Sequence, residues 1–143
     1  MTFFSPSVNY KISFPADYKN IAPLRDLGYH IAKFQGFSEQ KAEHGKSVID
    51  ELCNNAIEHG SQSTSEVSLE IFADGDTLKI TCHDQGHGNK LKAEQITELL
   101  EQEIPQDAAR GRGLRMIVKS FVDDLQVTDN PNGGITVTAV LKK

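Results

Sequence analysis

Three short stretches combine residue types and spacings that could do chemistry. In "ELCNNAIEHG", residues 51–60, Glu51, Asn55 and Glu58 recur at helical spacing. Four residues advance an α-helix about 40° past a turn and seven fall about 20° short of two, so the three share a flank. The amide oxygen of Asn55 is a hard neutral donor of the kind magnesium accepts beside several waters. Glu51, one turn earlier, could take a proton from an attacking hydroxyl or water. Alone, E-x-x-x-N is more often a solvated helix face. The second stretch, "DQGHG" at 84–88, follows a strand-like run. Its glycines allow close backbone approach to a flat ligand, and the Asp84 carboxylate could accept from an exocyclic amine such as that of adenine. The third, "RGRGL" at 110–114, opens an amphipathic run, where free N–H groups at a helix start and two arginines would suit phosphate. It fits neither the P-loop nor the dinucleotide pattern, because no GK[ST] follows and the third glycine is missing.

These groups need elements to hold them. "VNYKISF", residues 8–14, alternates like a half-buried strand ended by Pro15. From Ile21 to Phe34, Leu24, Leu27, Ile31 and Phe34 recur at helical spacing, with Gly36 as a stop. Ser38 is the expected N-cap of a second helix that runs to His59, with Gly60 at its C-cap. Its buried stripe is expected to be Val48, Ile49, Leu52, Cys53, Ala56 and Ile57. Residues 66–73 and 77–84 alternate across "DGD" and are expected to pair as a hairpin. Residues 90–103 look helical and charged, and 104–113 have the composition of a lid loop. "LRMIVKSFVDDL" places Leu114, Ile117, Val118 and Phe121 on one helical face, and a last hairpin folds "LQVTD" onto "GITVTAVL" through "NPNGG". The order β, α, α, β, β, lid, α, β, β predicts an α+β fold. It would be a two-layer α/β sandwich with a mostly antiparallel mixed sheet covered on one face by helices.

The chain of 143 residues suits a single domain, 1–143, with an ordinary hydrophobic content of 38%. A net charge of −5 argues against nucleic acid, whose non-specific binding rests on Lys and Arg displacing counterions. No window is long and apolar enough for a membrane span, and the first residues lack a signal-peptide pattern, so a cytoplasmic location is expected. Cys53 and Cys82 are expected as reduced core thiols, with no CxxC or paired His at metal spacing. His30, His44, His83 and His87 read as surface or locally hydrogen-bonded residues.

Taken together and in this order, "ELCNNAIEHG", "DQGHG" and "GRGL" resemble the N, G1 and G2 boxes of the histidine-kinase-like ATPase superfamily, which shares the Bergerat ATP-binding fold. The size, the form E-L-x-x-N-A-x-x-H-G and the "FVDDLQV" segment look most like the anti-sigma-factor serine/threonine kinases. The resemblance covers essentially the whole chain. It implies that Asn55 coordinates the magnesium on the phosphates of ATP and that Glu51 is the general base. It also implies that Asp84 reads the adenine amine, Gly86 and Gly88 shape the adenine floor, and Gly111, Arg112, Gly113 and Leu114 wrap the phosphates. Glu58 belongs to the same box; His59 either lines the pocket or serves the helix end. Arg110 and Arg112 meet the γ-phosphate, meet a partner, or are plain surface residues. Many relatives carry Thr directly after the glycine of the last hairpin. Here Ile135 intervenes before Thr136, the hydroxyl left to meet the nucleotide. The resemblance implies a sigma factor and a small anti-sigma-factor antagonist protein as partners, and a homodimer. A non-catalytic, nucleotide-gated binding module is the alternative. A sensor histidine kinase fragment is a third reading, disfavoured because the chain leaves no room for a helix bearing a phospho-acceptor histidine.

Overall fold

The computed structural model describes residues 6–60, 66–84, 121–131 and 133–143. Strand β1 (Val8–Pro15) leads through a 3₁₀ turn (Tyr18–Asn20) into helix α1 (Ile21–Phe34) and then α2 (Glu39–Asn55), which continues into a π-helical turn (Ala56–Gly60). Strands β2 (Glu66–Ala73) and β3 (Thr77–His83) follow, and β4 (Asp124–Asp129) and β5 (Ile135–Lys142) close the chain. The expected lid, the helix at 90–103 and the helix opened by "RGRGL" lie outside the described residues.

The five strands form one sheet in the order β1-β2-β3-β5-β4. Every described pairing is antiparallel, in line with the mostly antiparallel sheet expected. The last hairpin docks by β5 rather than β4, so β5 is central and β4 an edge. Alternation sends Val67, Leu69, Ile71 and Ala73 of β2, and Leu78, Ile80 and Cys82 of β3, into the core with α1 and α2. The opposite, back face is polar. There the registers set Lys11 beside Glu70, and Ser13, Ser68, His83 and Thr136 in one transverse row.

Local chemistry accounts for the ends of the elements. Ser38 caps α2 by accepting from the Lys41 N–H at 3.1 Å. The Asp74 carboxylate accepts from the N–H groups of Asp76 and Thr77, which closes the β2–β3 turn. Gly36 adopts φ 88° just past α1, as its stop role requires.

The expected stripe of α2 is buried throughout, from Val48 at 0% to Ile57 at 8% exposure. On α1 the face is rotated: Ile21, Leu24, Gly28, Ile31 and Ala32 are buried, whereas Phe34 is 85% exposed. Gly28 explains the rotation. A Cβ there would lie 2.1 Å from Cδ1 of Ile49, so the helices approach closely where α1 has no side chain. Arg25 on α1 closes the rim with a 2.8 Å ion pair to Asp50 on α2.

Candidate functional site: the end of α2 and the end of β3

Two contacts set α2 on the sheet. A Cβ on Gly45 would lie 3.0 Å from Cδ2 of Leu78, and the Cys53 thiol lies close enough to Cys82 to perturb it. Eight helical residues span about 12 Å and four strand residues about 13 Å, so α2 and β3 run in the same direction with matched rise. Asn55 and Asp84 each lie two residues beyond the thiol contact, which puts both at the same end of the sandwich. The cysteines are free and buried, as expected, and the neighbouring Cys53 thiol together with burial holds the Cys82 thiol well above its ordinary pKa. The Asp84 charge raises it further.

Glu51 and Asn55 are both half-buried on the flank beside the core stripe. Burial, and then the neighbouring Asp50 charge, push the Glu51 carboxyl above its ordinary range. A base tuned upward accepts a proton more readily near neutral pH, which is the property a general base needs. The π-helical turn begins directly after Asn55. A wider turn advances fewer degrees per residue, so Glu58, which is exposed, lags behind the flank it would share with Glu51 and Asn55 in a straight α-helix. Such turns are common at functional sites, and this one follows the proposed metal ligand. His59 sits in the same turn, and nothing is described of its side chain.

Asp84 is held by the β4–β5 hairpin. Its N–H donates to the Ile135 carbonyl at 3.0 Å, and its Oδ1 accepts from the Ile135 N–H at 3.1 Å. Its carbonyl accepts from Nδ2 of Asn130 at 3.2 Å. A Cβ on Gly134 would stand 1.9 Å from that carbonyl oxygen, so only glycine lets the turn come so near. Thr136 is on the back face, where its hydroxyl meets Nδ1 of His83 at 2.7 Å and Oδ1 of Asn130. Its route to a ligand on the α2 side therefore runs through Asp84. Gly86, Gly88, Arg110, Gly111, Arg112, Gly113 and Leu114 lie outside the described residues.

Asn130, Gly134 and His83 were not among the sequence-derived site residues. Only the position of His83, one residue before Asp84 and so on the opposite face, was a usable signal. A groove of about 500 Å³ opens over Ser13, Ser68, His83, Asp84 and Asn130, so Asp84 borders it as well. It is separate from the flank that carries Glu51 and Asn55. Among the described residues no three His, Cys, Asp or Glu side chains are grouped to hold a metal.

Residues 14–141 match the model of the histidine kinase-like ATPase domain. The chain belongs to this family. Family membership carries ATP binding with it. The solved structure of the RsbU and RsbW domains of Rv1364c from Mycobacterium tuberculosis resembles the chain with a TM-score of 0.62 at 14% identity. The match covers 96% of this chain and 32% of that one, so the chain spans about a third of the solved protein, and the likeness is one of fold. No curated protein matches the sequence. Among the described residues, no helix is long and apolar enough to cross a membrane.

Proposed function

We propose that the protein is a cytoplasmic anti-sigma factor that binds Mg-ATP, sequesters a sigma factor and phosphorylates a serine or threonine of a small antagonist protein. The observation that carries the kinase half is Glu51, a half-buried carboxyl held above its ordinary range, one turn before Asn55 in a histidine kinase-like ATPase domain. The fold likeness to a chain that includes an RsbW domain supports the regulatory half. Homodimerisation is part of the proposal by family resemblance.

In this reading Asn55 holds the magnesium through its amide oxygen, and Asp84 takes the adenine amine as a hydrogen-bond donor. The metal supplies neutralisation of charge on the transferring phosphoryl group. Glu51 receives the proton that the attacking hydroxyl loses, and becomes a neutral carboxylic acid. Its partial burial keeps competing water away from that oxygen and makes the neutral state easy to reach.

Incubation with γ-labelled Mg-ATP and an antagonist candidate encoded beside the protein tests the proposal. Label on a hydroxyl residue of the antagonist, lost with Glu51→Ala, is expected. A stable ATP-dependent complex without label would contradict the kinase half and leave a nucleotide-gated binding module.

A further inference from the structure

Behind Asp84, on the back face of the sheet, polar side chains join into one line across four strands. Lys11 on β1 lies 3.3 Å from Oε1 of Glu70 on β2, and Oε2 of Glu70 lies 3.2 Å from Nε2 of His83 on β3. Nδ1 of His83 meets Oγ1 of Thr136 on β5 at 2.7 Å. The Thr136 hydroxyl reaches Oδ1 of Asn130 in the β4–β5 turn, and Nδ2 of Asn130 reaches the Asp84 carbonyl at 3.2 Å.

The direction of every bond follows from one end. A carbonyl only accepts, so Asn130 presents its NH₂ to Asp84 and its oxygen to Thr136. Thr136 must then donate to Asn130, which leaves its oxygen to accept from Nδ1–H of His83. That fixes a proton on Nδ1, while Nε2 faces Oε2 of Glu70. Thr136 is next to Ile135, whose N–H and carbonyl grip Asp84. Locking Thr136 therefore locks the peptide that aims the Asp84 carboxylate.

We propose that His83 is a positioning residue: through Thr136 and Asn130 it fixes the strand end that aims Asp84, and so sets the preference for adenine over a purine lacking the exocyclic amine. The proposal rests on the reading of Asp84 as the adenine-recognising carboxylate. His83 stands on the back face and is bonded to Thr136 and Glu70, so its part is to hold the strand end and not to accept from the base. That difference is the point of the test. A hydrogen bond to a carboxylate weakens steeply when its angle opens, so a small drift of β5 is enough to blunt recognition.

Magnesium-dependent affinities for ATP and for inosine triphosphate, measured by calorimetry on the full chain, provide that test. The wild type is expected to prefer ATP. His83→Ala should lose about tenfold in ATP affinity, the scale of one charge-assisted hydrogen bond, with less than about a twofold change for inosine triphosphate. His83→Asn, whose amide nitrogen falls near the place of Nδ1 and can donate to Thr136, should restore most of the preference. The His83 side chain is 36% exposed beside an open groove, so its truncation leaves no sealed void. Thr136→Val should repeat the loss, and Thr136→Ser should reverse it, which keeps the test independent of how His83→Ala folds. An unchanged ATP preference in both His83→Ala and Thr136→Val would overturn the proposal, as would equal losses for the two nucleotides. Absence of any preference in the wild type would instead overturn the reading of Asp84, and the relay with it.

Discussion

Glu51 carries two opposing demands. Its carboxyl is raised by burial and by Asp50, so folding makes the charged form costlier than it is in the unfolded chain. A group whose folded pKa is raised contributes stability that is present below its unfolded value and lost as pH rises through the folded one. At neutral pH the charged Glu51 is therefore a burden on the fold. Glu51→Gln is expected to match or exceed the wild-type thermal midpoint at neutral pH while phosphotransfer falls by roughly 10²–10⁴-fold, the usual span for a lost general base. Parallel loss of folding and activity would show a structural residue instead. Asn55→Ala should weaken ATP binding by roughly tenfold with magnesium and little in its absence, as titration with and without the metal would reveal.

At the scale of elements, the site depends on the docking of the last hairpin against Asp84. Gly134→Ala would drive a methyl into the Asp84 carbonyl, an atom of backbone that cannot rotate aside. We expect a loss of about 1–3 kcal/mol in denaturant unfolding, together with weaker ATP binding. An unperturbed variant would mean that the approach is looser than the structure shows. Periodicity made β1, α1, α2 and the β2–β3 hairpin legible in the sequence, because each buries one face and leaves the other wet. The docking of β5 rather than β4 on β3 was not legible, since it is decided by contacts more than fifty residues apart. Phe34 failed for a local reason: its spacing suited the core, yet Gly28 brings α1 so near α2 that the buried face turns toward Gly28 and Ala32. The π-helical turn failed likewise, because a straight helix was the simplest extension of the pattern through Asn55. Asn130 read as a turn residue, and nothing in its spacing tells that its amide reaches Asp84.

Across the whole molecule, His44 and Glu70 are among the described residues that link stability to pH, beyond Glu51. His44, stacked on Phe121 at 4.3 Å between ring centroids, is held below its ordinary pKa by burial and then by Lys41. Glu70 is held below its own by the hydrogen bond with His83, with Lys11 adding to it. Both shifts are depressions, so both contributions are present above the unfolded values and are lost as pH falls through the folded ones. Thermal midpoints should first decline as the pH drops below about 6.5, the ordinary histidine value, and again below the ordinary carboxylate range. His44→Gln should flatten the first decline, and Glu70→Gln the second. A pH-independent midpoint in the wild type would contradict both assignments.

The central claim joins the α2 flank, the nucleotide and a proton leaving a hydroxyl, and one measurement addresses all three. Single-turnover phosphotransfer from Mg-ATP to the antagonist should be followed from about pH 5 to pH 8, for wild type and Glu51→Gln. The account predicts a wild-type rate that falls on the acid side with a midpoint above the ordinary glutamate value, and a slow Glu51→Gln rate without that limb. Wild-type rates from Glu51→Gln would contradict it.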